Sequence, residues 1–134
     1  MIKLILVEDN EIVRKGLIGL LEAEEDMEII GEVAGGLQAL ELLRGGVQPD
    51  IVLTDLNMPE MDGIELTRRI SSSSELSFVK VIILTMHAKQ IFVDKALEVG
   101  AKGYLLKNGE FEELYDAIRQ VCQNRTYISA GITS

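Results

Sequence analysis

The chain has 134 residues, 47% of them apolar and 26% charged, which is one ordinary globular domain able to bury a core without disulfides or metals. A formal net charge of −9 argues against gripping a nucleic-acid backbone, where neutralised phosphates supply most of the affinity, so any DNA contact must come from elsewhere. No apolar run approaches the roughly 18 residues that span a bilayer, no small-residue cleavage site follows the N-terminal apolar stretch, and the lone Cys122 fits a reducing cytoplasm.

Residues 2–7 (Ile-Lys-Leu-Ile-Leu-Val) read as a strand, and the spacing of Ile12, Val13, Leu17, Leu20 and Leu21 predicts an amphipathic helix over 10–23, capped by Asp9 or Asn10. A second strand over 28–34 precedes a helix marked by Leu37, Leu40 and Leu43, which stops at Gly45-Gly46. Gly35-Gly36 is a strand-to-helix turn, since neither a G-x-G-x-x-G nor a Walker pattern is present. Ile51, Val52 and Leu53 form a continuous apolar run, which fits a strand covered on both faces. That run stops at Asp55. Pro59 and Gly63 then break regular structure, Pro59 by lacking an N–H and Gly63 by tolerating backbone angles that other residues avoid.

A third helix is predicted over 64–70, and the serine-rich Ser71 to Ser77 reads as an exposed loop. Residues 79–84 form a buried strand ending at Thr85, and 88–99 a helix stopped by Gly100, with Ile91, Ala96, Leu97 and Val99 as its apolar residues. Residues 103–106 (Gly-Tyr-Leu-Leu) form the last strand, ending at Lys107. Asn108 is placed to cap a fifth helix whose Phe111, Leu114, Ile118, Val121 and Cys122 close the core. Beyond Asn124 no periodicity is long enough to assign an element.

Strands alternating with helices imply an α/β fold of parallel βαβ units with right-handed crossovers. Ligands of such sheets bind outside the carboxyl ends of the strands. Four of the five predicted strands end there in a polar residue: Glu8 and Asp9, then Asp55, Thr85 and Lys107. Three carboxylates in one pocket repel each other unless a cation joins them. With no Cys or His cluster, hard oxygen ligands favour Mg²⁺ or a similar divalent ion over zinc. An aspartate so placed can take a phosphoryl group, with the metal, the Lys107 ammonium and the Thr85 hydroxyl as partners for the added charge. His87, a lone loop histidine, reads as a solvated side chain acting on hydrolysis of that acyl phosphate rather than as a phosphoryl carrier.

As an ordered set these residues resemble a response regulator receiver domain. The motifs are Glu8-Asp9 after the first strand, Asp55 in Asp-Leu-Asn-Met-Pro-Glu-Met-Asp-Gly, Thr85 in Ile-Leu-Thr-Met-His, and Lys107 in Gly-Ala-Lys-Gly-Tyr-Leu-Leu-Lys. The likeness runs over residues 1 to about 124 and is greatest to the NarL/LuxR-type subfamily. It implies a flavodoxin-like, doubly wound (βα)5 sheet in the order 2-1-3-4-5. It also implies that a sensor histidine kinase phosphorylates Asp55, and that Mg²⁺ (or Mn²⁺) is held by Asp9, Asp55 and the Asn57 backbone carbonyl, with Glu8 acting through water. Glu8 stands where many members carry Asp. Thr85 would be the switch hydroxyl and Tyr104 the switch aromatic, turning into space that Thr85 vacates. Met86, bulkier than the residue many receivers carry there, would restrict access to the phosphoryl group.

The resemblance further implies a cytoplasmic switch with no membrane contact rather than a turnover enzyme, and allows a homodimer on phosphorylation. Residues 125–134 are then a tail, or the start of a linker to a C-terminal LuxR-type helix-turn-helix domain through which alone DNA is bound. The alternative is a stand-alone receiver acting by protein–protein contact. A small phosphatase with an Asp nucleophile wants a second aspartate two residues on, where this chain has Asn57.

Overall fold

The computed structural model describes residues 1–108 and 110–133. Strands and helices alternate as β1 (Ile2–Val7), α1 (Glu11–Glu22), β2 (Met27–Val33), α2 (Gly36–Arg44), β3 (Ile51–Asp55) and α3 (Gly63–Ser71). They continue as β4 (Lys80–Thr85), α4 (Gln90–Glu98), β5 (Gly103–Leu106), α5 (Phe111–Cys122) and a two-residue β6 (Tyr127–Ile128). All strand pairs are parallel, in the order 2-1-3-4-5-6. The predicted order therefore holds, extended by β6 from the stretch in which the sequence showed no periodicity.

Continuous apolar runs in the inner strands follow from helices covering both faces of the sheet. Successive side chains of a strand point to opposite faces. In β1, Ile5 and Val7 pack with Leu40 of α2, Leu66 and Ile70 of α3, and Val93 and Ala96 of α4. Leu4 and Leu6 pack on the other face with Leu21 of α1 and Ile118 and Val121 of α5. The same division separates Ile83 from Ile82 in β4.

Several residues expected in this core lie outside it. Ile12 is 84% exposed, Val13 is exposed as well, and Phe111 is 55% exposed. Val13 and Phe111 line one crevice of about 280 Å³ together with Lys107 and with Leu84, Leu105 and Leu106 at the ends of β4 and β5, so the first turns of α1 and α5 stand apart over the strand ends instead of closing on them. Ile91 is exposed on α4, and Cys122 is half-buried rather than core. Helix ends follow local chemistry more closely. Asn10 Oδ1 accepts from the Ile12 and Val13 N–H groups at 3.0 and 3.1 Å, so Asn10 and not Asp9 caps α1. Gly46 ends α2 with a φ of 103°, a left-handed conformation that glycine adopts at low cost. Glu110, not Asn108, is the cap position of α5, and its side chain makes no capping bond.

Candidate functional site

Parallel strands deliver their carboxyl ends to one rim of the sheet. β1 ends immediately before Glu8 and Asp9, Asp55 is the last residue of β3, Thr85 the last of β4, and Lys107 follows β5. The rim gathers its charged residues closely. Glu8, Asp9 and Asp55 each offer a carboxylate oxygen within 4.8 Å of the others. Lys107 Nζ donates to Glu8 Oε1 at 2.8 Å and to Asp55 Oδ2 at 3.1 Å. Glu8 is only 2% exposed, so its charge is tolerable there only with such partners. Its other oxygen accepts the Asn10 N–H at 3.1 Å, and Arg14 Nη1 donates to its backbone carbonyl at 2.7 Å.

Burial is the largest influence on Lys107 and pulls its pKa down, but the hydrogen bonds and charges of Glu8 and Asp55 outweigh it. The ammonium is held above its ordinary value and stays charged at neutral pH. It is the cation that three carboxylates require. Since Asn10 performs the capping, Asp9 remains exposed and directed into the cluster. Hard oxygen donors at this spacing suit Mg²⁺ or Mn²⁺, so the residues present fit a divalent ion.

The loop after β3 is shaped by close packing. Gly63 is not among the residues with positive φ, contrary to the sequence expectation. A side chain there would collide with the Asp55 carbonyl oxygen, and the Gly63 N–H donates to Leu56 O at 2.8 Å. The positive φ in this loop, 68°, falls on Glu60.

Across the rim, the Asn57 side-chain amide meets Nε2 of His87, and the His87 ring packs 4.7 Å from that of Phe92. His87 is thus half-buried and partnered rather than freely solvated. Thr85 is buried, and its hydroxyl accepts the His87 N–H at 3.2 Å. Tyr104 is fully buried and donates its hydroxyl to the His87 carbonyl at 2.8 Å. Burial pushes the Tyr104 phenol up to about 12, which keeps it a neutral donor. The ring is already inward in this structure. Met86 is exposed.

The sequence reading brought Glu8, Asp9, Asp55 and Lys107 to one rim, and they meet there. It did not find Arg14, the partnership of Asn57 with His87, or Ser129, whose buried hydroxyl accepts the Leu106 N–H at 3.1 Å just before Lys107. Those contacts join distant residues, and no local pattern announces them. Among the described residues, no helix is long and apolar enough to cross a membrane.

A parallel sheet with this strand order and an acidic, lysine-bridged rim defines a class, and comparison with known proteins agrees. The response regulator receiver domain family matches residues 4–119, and the chain belongs to that family. It is 44% identical over 132 residues to the transcriptional regulatory protein LiaR of Bacillus subtilis (strain 168), covering 98% of this chain and 61% of LiaR. It is 37% identical over 132 residues to the response regulator UvrY of Escherichia coli (strain K12), covering 98% of this chain and 59% of UvrY. The chain therefore spans about three fifths of the length of these relatives. Among solved structures, a LuxR-family two-component response regulator from Aurantimonas sp. SI85-9A1 superposes with a TM-score of 0.90 at 36% identity, covering 97% of this chain and 91% of that one. The signal receiver domain of the putative response regulator NarL from Mycobacterium tuberculosis gives 0.85 at 30% identity, over 92% and 98%.

Proposed function

We propose that this receiver is a phosphorylation-dependent switch in which Asp55 accepts a phosphoryl group from the phosphohistidine of a sensor histidine kinase. A carboxylate oxygen of Asp55 attacks phosphorus, the P–N bond breaks, and the imidazole leaves and takes up a proton. The product is an acyl phosphate, which carries about −1.5 to −2 charges where the carboxylate carried one. The observation that carries this reading is the Lys107 ammonium bridging Glu8 and Asp55 at 2.8 and 3.1 Å inside a three-carboxylate cluster. That arrangement presents fixed positive charge where phosphoryl oxygens would lie. Glu8, Asp9, Asp55 and the Asn57 backbone carbonyl would hold Mg²⁺ or Mn²⁺, which when bound neutralises charge on the transferring group.

Lys107 stabilises the phosphoryl oxygens, and the Thr85 hydroxyl, still accepting the His87 N–H, moves toward them and donates to one. Tyr104, held inward against the His87 carbonyl, links that motion to the loop before α4. Exposed Val13 and Phe111 line the crevice next to Lys107 and supply an apolar rim for the kinase.

Residues 1–124 form the phosphoacceptor unit, and the output is transcriptional, as it is for LiaR, through a DNA-binding helix-turn-helix segment outside this chain. The net charge of −9 supports placing DNA contact elsewhere. A cytoplasmic location follows from this role. Acetyl phosphate with Mg²⁺ should add the mass of one phosphoryl group, and Asp55→Asn should abolish the gain; retained label in that variant would sink the assignment.

A further inference from the structure

The chain past α5 returns along the sheet edge and is tied to both strand ends that carry Thr85 and Lys107. β6 pairs with β5 through Gly103↔Tyr127 and Tyr104↔Ile128. Ser129 is an anchor: its buried hydroxyl accepts the Leu106 N–H at 3.1 Å and donates to Glu113 Oε1 at 2.9 Å. Tyr127 OH donates to the other Glu113 oxygen at 3.2 Å. Further on, Thr133 forms a parallel bridge opposite Lys89. Its N–H donates to the Ala88 carbonyl at 2.7 Å, and its carbonyl accepts the Gln90 N–H at 2.7 Å. The second bond acts as a helix cap. A helix leaves its first N–H groups without internal partners, and the Lys89 side chain makes no capping bond to α4. A backbone carbonyl from the end of the chain does for α4 what the Asn10 side chain does for α1.

This bridge sits on the same loop as Thr85. The His87 N–H donates to the Thr85 hydroxyl, Tyr104 donates to the His87 carbonyl, and the next residue, Ala88, holds Thr133. We infer that residues 127–133 are a strap, anchored at Ser129 and latched at Thr133, whose latch opposes the phosphorylated state of Asp55. The inference rests on the phosphoacceptor reading above. A phosphoryl group draws the Thr85 hydroxyl toward Asp55, and the backbone of His87 and Ala88 follows it away from Thr133. The latch opens while the Ser129 anchor stays. Linkage is reciprocal, so a closed latch disfavours the phosphorylated state by the same factor.

The test uses the whole chain with Mg²⁺ and beryllium fluoride as a phosphoryl mimic, following amide shifts and hydrogen exchange. Binding, read at the Asp55 amide, should speed exchange at Gln90 and Thr133 and leave Leu106 protected. Thr133→Pro, which removes the donating N–H, should tighten beryllium fluoride binding about fivefold, the lower end of ordinary coupling. Thr133→Ala keeps both backbone bonds and loses only the long 3.4 Å contact of the Thr133 hydroxyl with the Ala88 carbonyl, so it should leave affinity within about twofold of the parent. Unchanged or slower exchange at Gln90 and Thr133 in a chain with the mimic bound would overturn the strap, as would parental affinity in Thr133→Pro. A chain whose Asp55 amide never responds to the mimic fails earlier, at the phosphoacceptor reading, and takes the strap with it.

Discussion

The half of the molecule built on β1 and β3 and the half built on β4 to β6 are held by different means. In the first, two of the three helices carry their own caps: Asn10 Oδ1 accepts from two N–H groups of α1, and Asp62 Oδ1 accepts the Glu65 N–H of α3 at 2.8 Å, while α2 starts after Gly35 without a side-chain cap. In the second, neither Lys89 nor Glu110 gives its helix a side-chain cap. α5 compensates through tertiary bonds, with Arg119 paired to Glu24 and Asp26 and the Tyr115 hydroxyl on Leu20 O. α4 has less. It buries Val93 and Ala96 and exposes Ile91. The three clustered carboxylates therefore stand on the half with more local caps, while Thr85 leads directly into the helix most dependent on distant contacts. Elements of low local stability are the ones a bound group can shift.

The comparison can be broken or sharpened by measurement. The largest effect is expected at the bridge between the halves: Lys107→Ala leaves Glu8 and Asp55 without their cation and should cost about 2 kcal/mol in urea unfolding without divalent ions. Added Mg²⁺ should then stabilise the variant more than the parent, because a bound cation replaces the lost charge. Equal stabilisation of the two proteins would show that the cluster does not depend on Lys107. An intermediate effect is expected at the caps. Asn10→Ala should lose about 1 kcal/mol, and Lys89→Ser should gain about 0.5 kcal/mol by giving α4 a local cap. Slower amide exchange confined to α4 in Lys89→Ser would confirm where the deficit lies; unchanged exchange there would refute it.

The smallest effect concerns the tie between α5 and the turn before β2. The hydrogen bond from Arg119 holds the Asp26 carboxyl below its ordinary value of 3.8. A depressed folded-state pKa gives stability that is present above the ordinary value and lost as pH falls through the folded one. Asp26 is half exposed, so solvent screening keeps this below about 1 kcal/mol. Asp26→Asn should destabilise slightly at neutral pH and reduce the loss below about pH 4. An acid limb identical to that of the parent would remove Asp26 from the account.

Much of the fold was legible because its signals are local. An apolar run such as Ile51-Val52-Leu53 needs cover on both faces wherever it lies, and the structure divides Val52 from Ile51 and Leu53 between two core layers. The polar residues that end those runs lie on one rim because parallel strands share a direction. What failed was the burial of Ile12, Val13 and Phe111. A helical stripe records which side chains face inward but not whether the neighbouring helix closes over them, and between Val13 and Phe111 a crevice stays open. The same limit hid the partnership of Asn57 with His87, which joins residues from two separate loops.

By itself, then, the sequence determined the alternation of elements, the strand ends that carry charge, and the membership of Glu8, Asp9, Asp55 and Lys107 in one set. Periodicity and turn chemistry act over a few residues and need no knowledge of the rest. Only the tertiary structure decided that Lys107 bridges Glu8 and Asp55, that Tyr104 points inward onto His87, and that the stretch after Asn124 pairs with β5 and caps α4. Each of these is a bond between groups far apart in the chain, formed only once the sheet has brought the strand ends together.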